Sequence, residues 1–318
     1  MVKKYSYNDI VLEPNYSEIE SRDDVNTYVH FCGRDFRCAA IPANMICTID
    51  FDKAVELSEN GYFYVLHRFY DYDKIYKWID KHQMLRTISI SVGVKEKDKE
   101  LIDRISHENL RVDFITIDVA HGHSIMVKKM IRHIRINLNR NIKIIGGNIG
   151  TPEAAVDLAN WGCDAVKVGL SMGKSCTTYN CTGVGTPMFS TVRDIVNVSK
   201  VPVIADGQVR EVGDVCKALV AGATMVMIGS EFAKCMDSPA EFVTVTKPNS
   251  HKYFFGSASE YTKGNTSHIE GTRVLLETKG KTYIEYMNEI NDGISSCCSY
   301  AGVDTIPKLI TMKHSLKN

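Results

Sequence analysis

Residues 142–169 read Ile-Lys-Ile-Ile-Gly-Gly-Asn-Ile-Gly-Thr-Pro-Glu-Ala-Ala-Val-Asp-Leu-Ala-Asn-Trp-Gly-Cys-Asp-Ala-Val-Lys-Val-Gly. The run 142–148 is apolar without polar alternation, which is typical of a parallel strand buried on both faces. Thr151 followed by Pro152 is typical of a helix that begins with a threonine N-cap and a proline at its first position. The apolar run 165–169 then predicts a second strand. This stretch therefore predicts one parallel strand–helix–strand unit.

Units of this kind recur along the chain. The predicted strands are 37–43, 62–67, 87–93, 114–120, 142–148, 165–169, 202–206 and 224–229. Further helices are predicted to begin at Ser124 and to span 194–199 and 212–222, with Gly222 at a helix C-terminus. Eight β-α units without a Pro- or Ser-rich linker predict an α/β fold, a single (β/α)8 TIM barrel. An open doubly wound sheet is the alternative.

Composition argues against several classes of protein. The chain has 318 residues, with Lys plus Arg and Asp plus Glu equal at 38 each. This balance gives no electrostatic bias toward nucleic acid or membrane. The ten cysteines form no CxxC pair, which argues against a disulfide framework or a zinc site. With no signal-like start and no run of membrane-helix length, we expect a cytoplasmic protein without nucleic-acid or membrane partners.

Polar residues gather where the predicted strands end. They are Asn44, His67, Arg68, Asp118, His121, His123, Asn148, Cys176, Asp206, Gly207, Gly229 and Ser230. Catalytic groups of TIM barrels lie at the carboxyl ends of the strands. The distribution therefore predicts an enzyme.

Two of these groups have competing interpretations. Asp206-Gly207, Gly229-Ser230 and the segment 256–260 supply glycines and hydroxyls where many barrels bind phosphate, which we favour over simple turns. His121 and His123 flank a glycine, but no Glu-x-x-His or cysteine cluster accompanies them. A capped turn leading into the helix at Ser124 is therefore favoured over a metal site.

Cys176 lies in the run Val-Gly-Leu-Ser-Met-Gly-Lys-Ser-Cys-Thr-Thr, residues 168–178. A buried structural cysteine is the ordinary interpretation of a free thiol. Here the surroundings are polar and contain glycine, which favours a nucleophile on a loop. Thr177 and Thr178 offer hydroxyls for proton transfer if a carboxylate activates one of them. Composition does not identify that carboxylate.

Several segments together resemble the IMP dehydrogenase/GMP reductase family. They are Pro-Ala-Asn-Met (42–45), Ile-Asp-Val-Ala-His-Gly-His-Ser (117–124), Gly-Asn-Ile-Gly-Thr-Pro-Glu (147–153), Lys-Val-Gly (167–169), Gly-Lys-Ser-Cys-Thr-Thr (173–178), Thr-Gly-Val-Gly (182–185), Ile-Ala-Asp-Gly (204–207), Gly-Ala-Thr-Met-Val-Met-Ile-Gly-Ser (222–230) and Phe-Gly-Ser-Ala-Ser-Glu (255–260). The resemblance runs from Tyr7 to about Ile310, and it is greatest to the bacterial reductases. It implies a TIM barrel.

The resemblance also implies a reaction. Cys176 would add to purine C2 of GMP, ammonia would leave a covalent thioimidate, and NADPH would deliver hydride to give IMP, a purine salvage step. Thr178 and Glu270 take the places of the pair that handles the proton on the departing ammonia. A potassium ion would be held by backbone carbonyls of Ser171, Gly173 and Cys176, and a homotetramer is expected.

The same resemblance implies the ligand-binding residues. Those on the substrate side are Asn44, Met45, Asp206, Gly207, Gln208, Gly229, Ser230, Gly256, Ser257, Ala258 and Gly271. Those on the cofactor side are Arg68, Asp118, Val119, Ala120, Asn148 and Gly169.

Reductase is favoured over dehydrogenase because only nine residues separate Glu260 from Glu270, too few for the long flap with an Arg-Tyr pair that hydrolyses the intermediate. The regulatory domain of many dehydrogenases is also missing, so residues 1–318 are expected to form one catalytic domain. The chain departs from the family pattern at Ser171-Met172, where Gly-Pro is usual, and at Gln208, where glycine is usual. A flap-poor IMP dehydrogenase and a non-catalytic purine-nucleotide-binding relative are the alternatives.

Overall fold

The computed structural model describes residues 3–171, 173–245, 249–263 and 270–317. In chain order the strands are β1 (Ile10–Glu13), β2 (Val29–Phe31), β3 (Arg34–Phe36), β4 (Ala40–Pro42), β5 (Ser89–Val92), β6 (Phe114–Asp118), β7 (Lys143–Ile149), β8 (Ala165–Val168), β9 (Val203–Asp206), β10 (Met225–Ile228), β11 (Phe242–Val243), β12 (His251–Phe255), β13 (Arg273–Glu277) and β14 (Lys313–Leu316). The helices are α1 (Phe51–Glu59), α2 (Tyr72–Lys81), α3 (Glu96–His107), α4 (Ile125–Asn137), α5 (Pro152–Trp161), α6 (Thr178–Thr182), α7 (Met188–Val196), α8 (Val212–Val220), α9 (Ser230–Ala233), α10 (Glu260–Lys263) and α11 (Tyr283–Ala301).

A curled parallel sheet forms the centre of the fold. Its seven hydrogen-bonded strands follow the order β4-β10-β9-β8-β7-β6-β5, so neighbours in space are mostly neighbours along the chain. The strands are rich in Val and Ile, and β5, β8 and β10 are buried along their whole length. Helices between consecutive strands cover the outer face, as right-handed crossovers require. The predicted TIM barrel is confirmed.

The eighth strand of the barrel wall is irregular. The predicted strand 62–67 meets β5 only through an isolated parallel bridge between Leu66 and Ile90. Side chains supply part of its pairing, because Ser91 Oγ donates to Leu66 O at 2.7 Å and Tyr64 Oη donates to Thr87 O at 2.8 Å. The segment is buried, so packing holds it in the wall while hydroxyl groups replace part of the backbone ladder.

The helix predictions differ in accuracy. Thr151 Oγ1 accepts the N–H of Ala154 and Pro152 begins α5, while Ser124 caps α4, so both predicted starts are confirmed. The prediction for 194–199 is wrong, because α7 begins at Met188 and ends at Val196. Its buried face includes Met188, Phe189 and Val192, and packing of these residues places its start upstream of the predicted boundary.

Three small sheets complete the structure. β1 pairs with β14 and β2 pairs with β3, both antiparallel. The antiparallel sheet β11-β12-β13 follows β10 in the chain. The loops at the ends of β12 and β13 carry Gly256 and Gly271, two of the predicted site residues. No helix among the described residues is long and apolar enough to cross a membrane.

Candidate active site

Strand register brings the predicted site residues to one rim of the barrel. Asp118 lies opposite Gly147 across β6 and β7, and Asp206 lies opposite Met227 across β9 and β10. Pro42 lies opposite Ile228, two residues before Asn44. Because parallel strands end on the same side, the residues that follow them converge there.

A chain of hydrogen bonds joins Cys176 to Glu270. The Cys176 thiol donates to Thr178 Oγ1 at 3.3 Å, and Thr178 Oγ1 donates to Glu270 Oε2 at 2.6 Å. All three side chains are half-buried. Composition alone left the carboxylate unidentified, whereas the family resemblance named Glu270 as the partner of Thr178. In the structure these two side chains meet across 92 residues of chain. The arrangement is that of a nucleophile with a hydroxyl relay to a base.

Backbone pairing holds this arrangement. Cys176 and Gly271 form an antiparallel bridge, in which Thr177 N donates to Glu270 O at 2.9 Å and Thr272 N donates to Ser175 O at 2.8 Å. The loop after β8 is therefore joined to the segment that enters β13. Two backbone hydrogen bonds fix the spacing of thiol and carboxylate.

The predicted substrate-side residues occupy neighbouring rim positions. Ser230 begins the short helix α9 with Gly229 as its N-cap, and Asn44 is buried beside them. A Cβ atom on Gly229 would lie 3.6 Å from Met45 Sδ and 3.3 Å from Phe254. Gly207 and Gln208 adopt left-handed backbone angles after Asp206.

The segment after β12 closes over the cysteine loop. A Cβ atom on Gly256 would lie 3.1 Å from Ser175 Oγ, so the two segments are tightly packed at this point. Ser257 and Ala258 form the following turn, and Ala258 O accepts the N–H of Glu270 at 3.2 Å. Of the predicted substrate-side set, Gly271 pairs with Cys176 and Gly256 lies against the neighbouring Ser175.

The cofactor-side residues lie on the adjacent strand ends. Val119 N donates to Gly147 O at 3.1 Å and Val119 O accepts the N–H of Asn148 at 2.9 Å, while Asn148 Nδ2 donates to Gly169 O at 2.7 Å. Arg68 Nε donates to Asp118 O at 3.1 Å. Ala120 is exposed at the rim.

Asp118, a predicted cofactor-side residue, forms ion pairs within the protein. Its oxygens lie 3.3 Å from Lys167 Nζ and 3.6 Å from Arg68 Nε. Burial alone would raise the pKa of Asp118, but the charges of Lys167 and Arg68 hold that pKa below its usual range. The carboxylate therefore remains ionised within a cluster of charges.

Sequence reasoning missed the role of Lys167. Its Nζ lies 2.7 Å from Asp206 Oδ2, and the side chain is almost fully buried on β8. A lysine inside an otherwise apolar parallel strand is the signal, since a buried ammonium needs carboxylate partners. Ser175, whose Oγ lies close to Gly256, has no feature in the sequence that would have identified it as part of the site.

The carbonyl oxygens of Ser171 and Cys176 accept no hydrogen bond from the described residues, and Gly173 O accepts only the N–H of Cys176. Backbone carbonyls of this kind suit a potassium ion. Met172, the residue at the usual proline position, lies outside the described residues.

The two histidines after β6 and several of the other cysteines have surroundings typical of structural residues. His123 Nε2 lies 2.8 Å from the Asp157 carboxylate, and His121 is exposed. The described ranges contain no cluster of three His, Cys, Asp or Glu side chains suited to a metal. Burial raises the pKa of Cys38, Cys163 and Cys235 to about 12, so these groups remain thiols near neutral pH.

Comparison with known proteins gives one consistent result. A sequence profile described as "IMP dehydrogenase / GMP reductase domain" matches residues 4–317. A protein named GMP reductase from Ligilactobacillus salivarius is 42% identical over 300 residues, covering 94% of this chain and 91% of its own. One of that name from Mesoplasma florum is 42% identical, covering 95% and 94%. A third, from Bacillus licheniformis, is 42% identical and covers 100% and 99%.

Proposed function

This chain belongs to the IMP dehydrogenase/GMP reductase family, and from that premise we propose that it is an NADPH-dependent GMP reductase. The protein is an enzyme of the oxidoreductase class. It converts GMP to IMP and ammonia through a covalent intermediate on Cys176. The hydrogen-bonded series of Cys176, Thr178 and Glu270 is the single observation that carries this proposal.

The relay geometry accounts for the proton movements. The thiol donates to Thr178 Oγ1, and that hydroxyl donates to Glu270 Oε2 at 2.6 Å. A proton leaving Cys176 can therefore reach Glu270 through one hydroxyl, which gives the thiolate that adds to C2 of the purine. As the C2–N bond breaks, the same pair returns that proton to the amino nitrogen, which leaves as ammonia. Thiolate departure after reduction of C2 gives IMP.

The rim residues would orient the nucleotide. Asp206 keeps one carboxylate oxygen, Oδ1, without a hydrogen-bond partner among the described residues, and this oxygen would accept a hydrogen bond from a ribose hydroxyl. The glycines at 207, 229 and 256 allow close approach of backbone amides to the phosphate. Asn44, Met45, Gln208, Ser230, Ser257, Ala258 and Gly271 complete the proposed substrate side.

The cofactor-side residues fit a polar ligand. Asn148 Oδ1 is buried and has no partner among the described residues, and a group of this kind normally bonds to a ligand or water. NADPH, when bound, supplies the hydride. Arg68, Asp118, Val119, Ala120, Asn148 and Gly169 would hold it against the nucleotide.

A reductase is favoured over a dehydrogenase by the segment between Glu260 and Glu270. Of its nine residues, 261–263 belong to α10, and positions 264–269 lie outside the described residues. So short a connection leaves little chain for a flap that activates water. The intermediate is then reduced rather than hydrolysed.

Further properties are proposed from the family. Residues 1–318 form one catalytic barrel domain without an inserted regulatory domain. A potassium ion held by carbonyls of Ser171, Gly173 and Cys176 would stabilise the cysteine loop. The enzyme works in the cytoplasm as a homotetramer, without nucleic-acid or membrane partners.

Cofactor oxidation tests the proposed function. Purified protein with GMP and NADPH should lose the absorbance of the reduced cofactor in a GMP-dependent manner. Cys176→Ala should lower kcat about a thousandfold or more, because the nucleophile is lost. Cys181→Ala, which changes an exposed thiol five positions away, serves as the matched control and should retain activity.

Two observations would contradict the proposal. One is the absence of GMP-dependent oxidation with and without potassium; the other is formation of NADH from IMP and NAD in its place. Mass spectrometry should detect a nucleotide adduct on the peptide that contains Cys176. Neither a structural cysteine nor a protein that only binds nucleotide predicts such an adduct.

A further inference from the structure

Lys167 lies between two carboxylates that belong to different halves of the site. Its Nζ is 2.7 Å from Asp206 Oδ2 and 3.3 Å from Asp118 Oδ1. Under the proposed function, Asp206 contacts the nucleotide and Asp118 contacts the cofactor. One ammonium therefore touches a group from each half.

Lys167 is buried where β7 and β8 pack closely together. Its side chain is 3% exposed, and a Cβ atom on Gly147 of the neighbouring strand would lie 2.6 Å from Lys167 Cβ. The backbone carbonyl oxygen of Lys167 would lie 2.8 Å from the same Cβ atom, so the close approach of β7 and β8 at this point requires glycine at position 147. Asn148 Nδ2 also donates to Asp206 Oδ2 at 2.9 Å.

The two carboxylates differ in what their second oxygen meets. Lys167 and Asn148 occupy Asp206 Oδ2, while Oδ1 has no partner among the described residues. Asp118 Oδ2 faces Arg68 at 3.6 Å. In such a buried set, a contact that shifts one carboxylate also shifts the ammonium and the second carboxylate, because charges at low dielectric interact strongly.

We infer that Lys167 is a positioning residue that couples nucleotide binding to cofactor binding. This inference rests on the proposed function. Bound nucleotide fixes Asp206, Asp206 fixes Lys167, and Lys167 then holds Asp118 in the orientation that accepts the cofactor. Linkage makes the effect reciprocal, so bound cofactor strengthens nucleotide binding by the same factor.

The coupling factor is the quantity to measure. In a Cys176→Ala background, which prevents turnover, the Kd of NADPH is measured by calorimetry with and without GMP. We expect GMP to lower that Kd about fivefold or more. Lys167→Met should bring the ratio of the two Kd values to within about twofold of one.

Lys143→Met is the matched control. Lys143 lies on β7 and faces Asp164 at 3.7 Å, away from both site carboxylates. Its substitution should leave the ratio unchanged. General structural damage from Lys167→Met would weaken both affinities and preserve the ratio, which would overturn the inference.

A second variant keeps Lys167 in place. In the same Cys176→Ala background, Asp118→Asn should bring the ratio of the two NADPH Kd values to within about twofold of one, since the lysine loses its partner on the cofactor side. An unchanged ratio in Asp118→Asn would overturn the inference, even where Lys167→Met does not fold.

Different results would overturn the proposed function and the inference about Lys167. Turnover of GMP by the unmodified protein together with an unchanged coupling factor would overturn only the role of Lys167. Absent turnover with intact, coupled binding would overturn the proposed reaction and support the inference. Failure of either ligand to bind would overturn both.

Discussion

Ser171 and Gln208 hold left-handed backbone angles, with φ of +65° and +62°. Both stand where the family pattern has glycine. The chain therefore keeps at both positions a backbone conformation that glycine favours. A left-handed angle costs a residue with a side chain about 1 kcal/mol or more.

We predict that Gln208→Gly stabilises the protein. Removing the side chain relieves the left-handed angle by about 1 kcal/mol, which corresponds to a rise in Tm of about 2 °C. Differential scanning calorimetry measures the change. Gly280→Ala is the reciprocal control, because Gly280 has φ of +68° and open space around it, so its Tm should fall. A lower Tm for Gln208→Gly would show that the side chain makes a stabilising contact.

At the scale of elements, the sheet β11-β12-β13 positions half of the candidate site. It carries Gly256 at one end of β12, and Glu270 and Gly271 precede β13. Lys252 anchors β12, because its ammonium lies 2.8–3.0 Å from the carbonyls of Cys235, Met236 and Ser238 and from Ser238 Oγ. Burial lowers the pKa of Lys252 to about 8, so the ammonium form still prevails near neutral pH.

We predict that Lys252→Met loosens this sheet. The variant leaves several buried acceptors without a donor, and each unsatisfied group costs about 1–3 kcal/mol. Faster amide hydrogen exchange in β12 and β13 and a severalfold lower kcat are the expected results.

Lys281→Met is the control for the sheet. Lys281 forms an exposed ion pair with Glu289 at 2.8 Å, and loss of such a pair changes stability by less than about 1 kcal/mol. Unchanged exchange in β12 of Lys252→Met would contradict the anchoring role of that lysine.

At the scale of the whole molecule, closure of the barrel buries His67 at the end of the irregular strand segment 62–67. The ring stacks on Tyr70 at 4.4 Å, and Nδ1 accepts the N–H of Phe69 at 3.1 Å. Burial lowers the pKa of His67 to about 4. An unfolded histidine has a pKa of about 6.5.

The direction of the pH effect follows from the number of protons that His67 binds in the folded and in the unfolded chain. Between about pH 6.5 and pH 4 the unfolded chain binds one proton more than the folded chain at this residue. The free energy of unfolding therefore falls as the pH falls through this window, and the loss is absent above it. Through this residue the loss from about pH 7 to pH 5 is about 2 kcal/mol.

We predict that His67→Gln reduces this acid sensitivity. Urea unfolding near pH 7 and near pH 5 should show a smaller loss of stability for the variant than for the unmodified protein. His107→Gln, at an exposed position, should leave the loss unchanged. Equal losses for all three proteins would exclude His67 as a source of acid lability.

Local chemistry explains which features the sequence could predict. Strand positions and the starts of α4 and α5 follow from apolar runs and capping residues, which act within a few positions. The start of α7 was predicted wrongly, and the segment 62–67 pairs less regularly than the sequence predicted. Both features depend on the distant segments that pack against them. The strand ends could be expected to meet once the barrel was inferred, because parallel strands share one rim.

The sequence by itself determined the barrel and pointed to Cys176, because periodicity and loop composition are properties of neighbouring residues. Only the tertiary structure decided which groups face each other. It placed Glu270 on Thr178 across 92 positions of chain, and it set Lys167 between Asp118 and Asp206. Such distances depend on strand order, register and loop packing, and these arise only when distant segments of the folded chain come together.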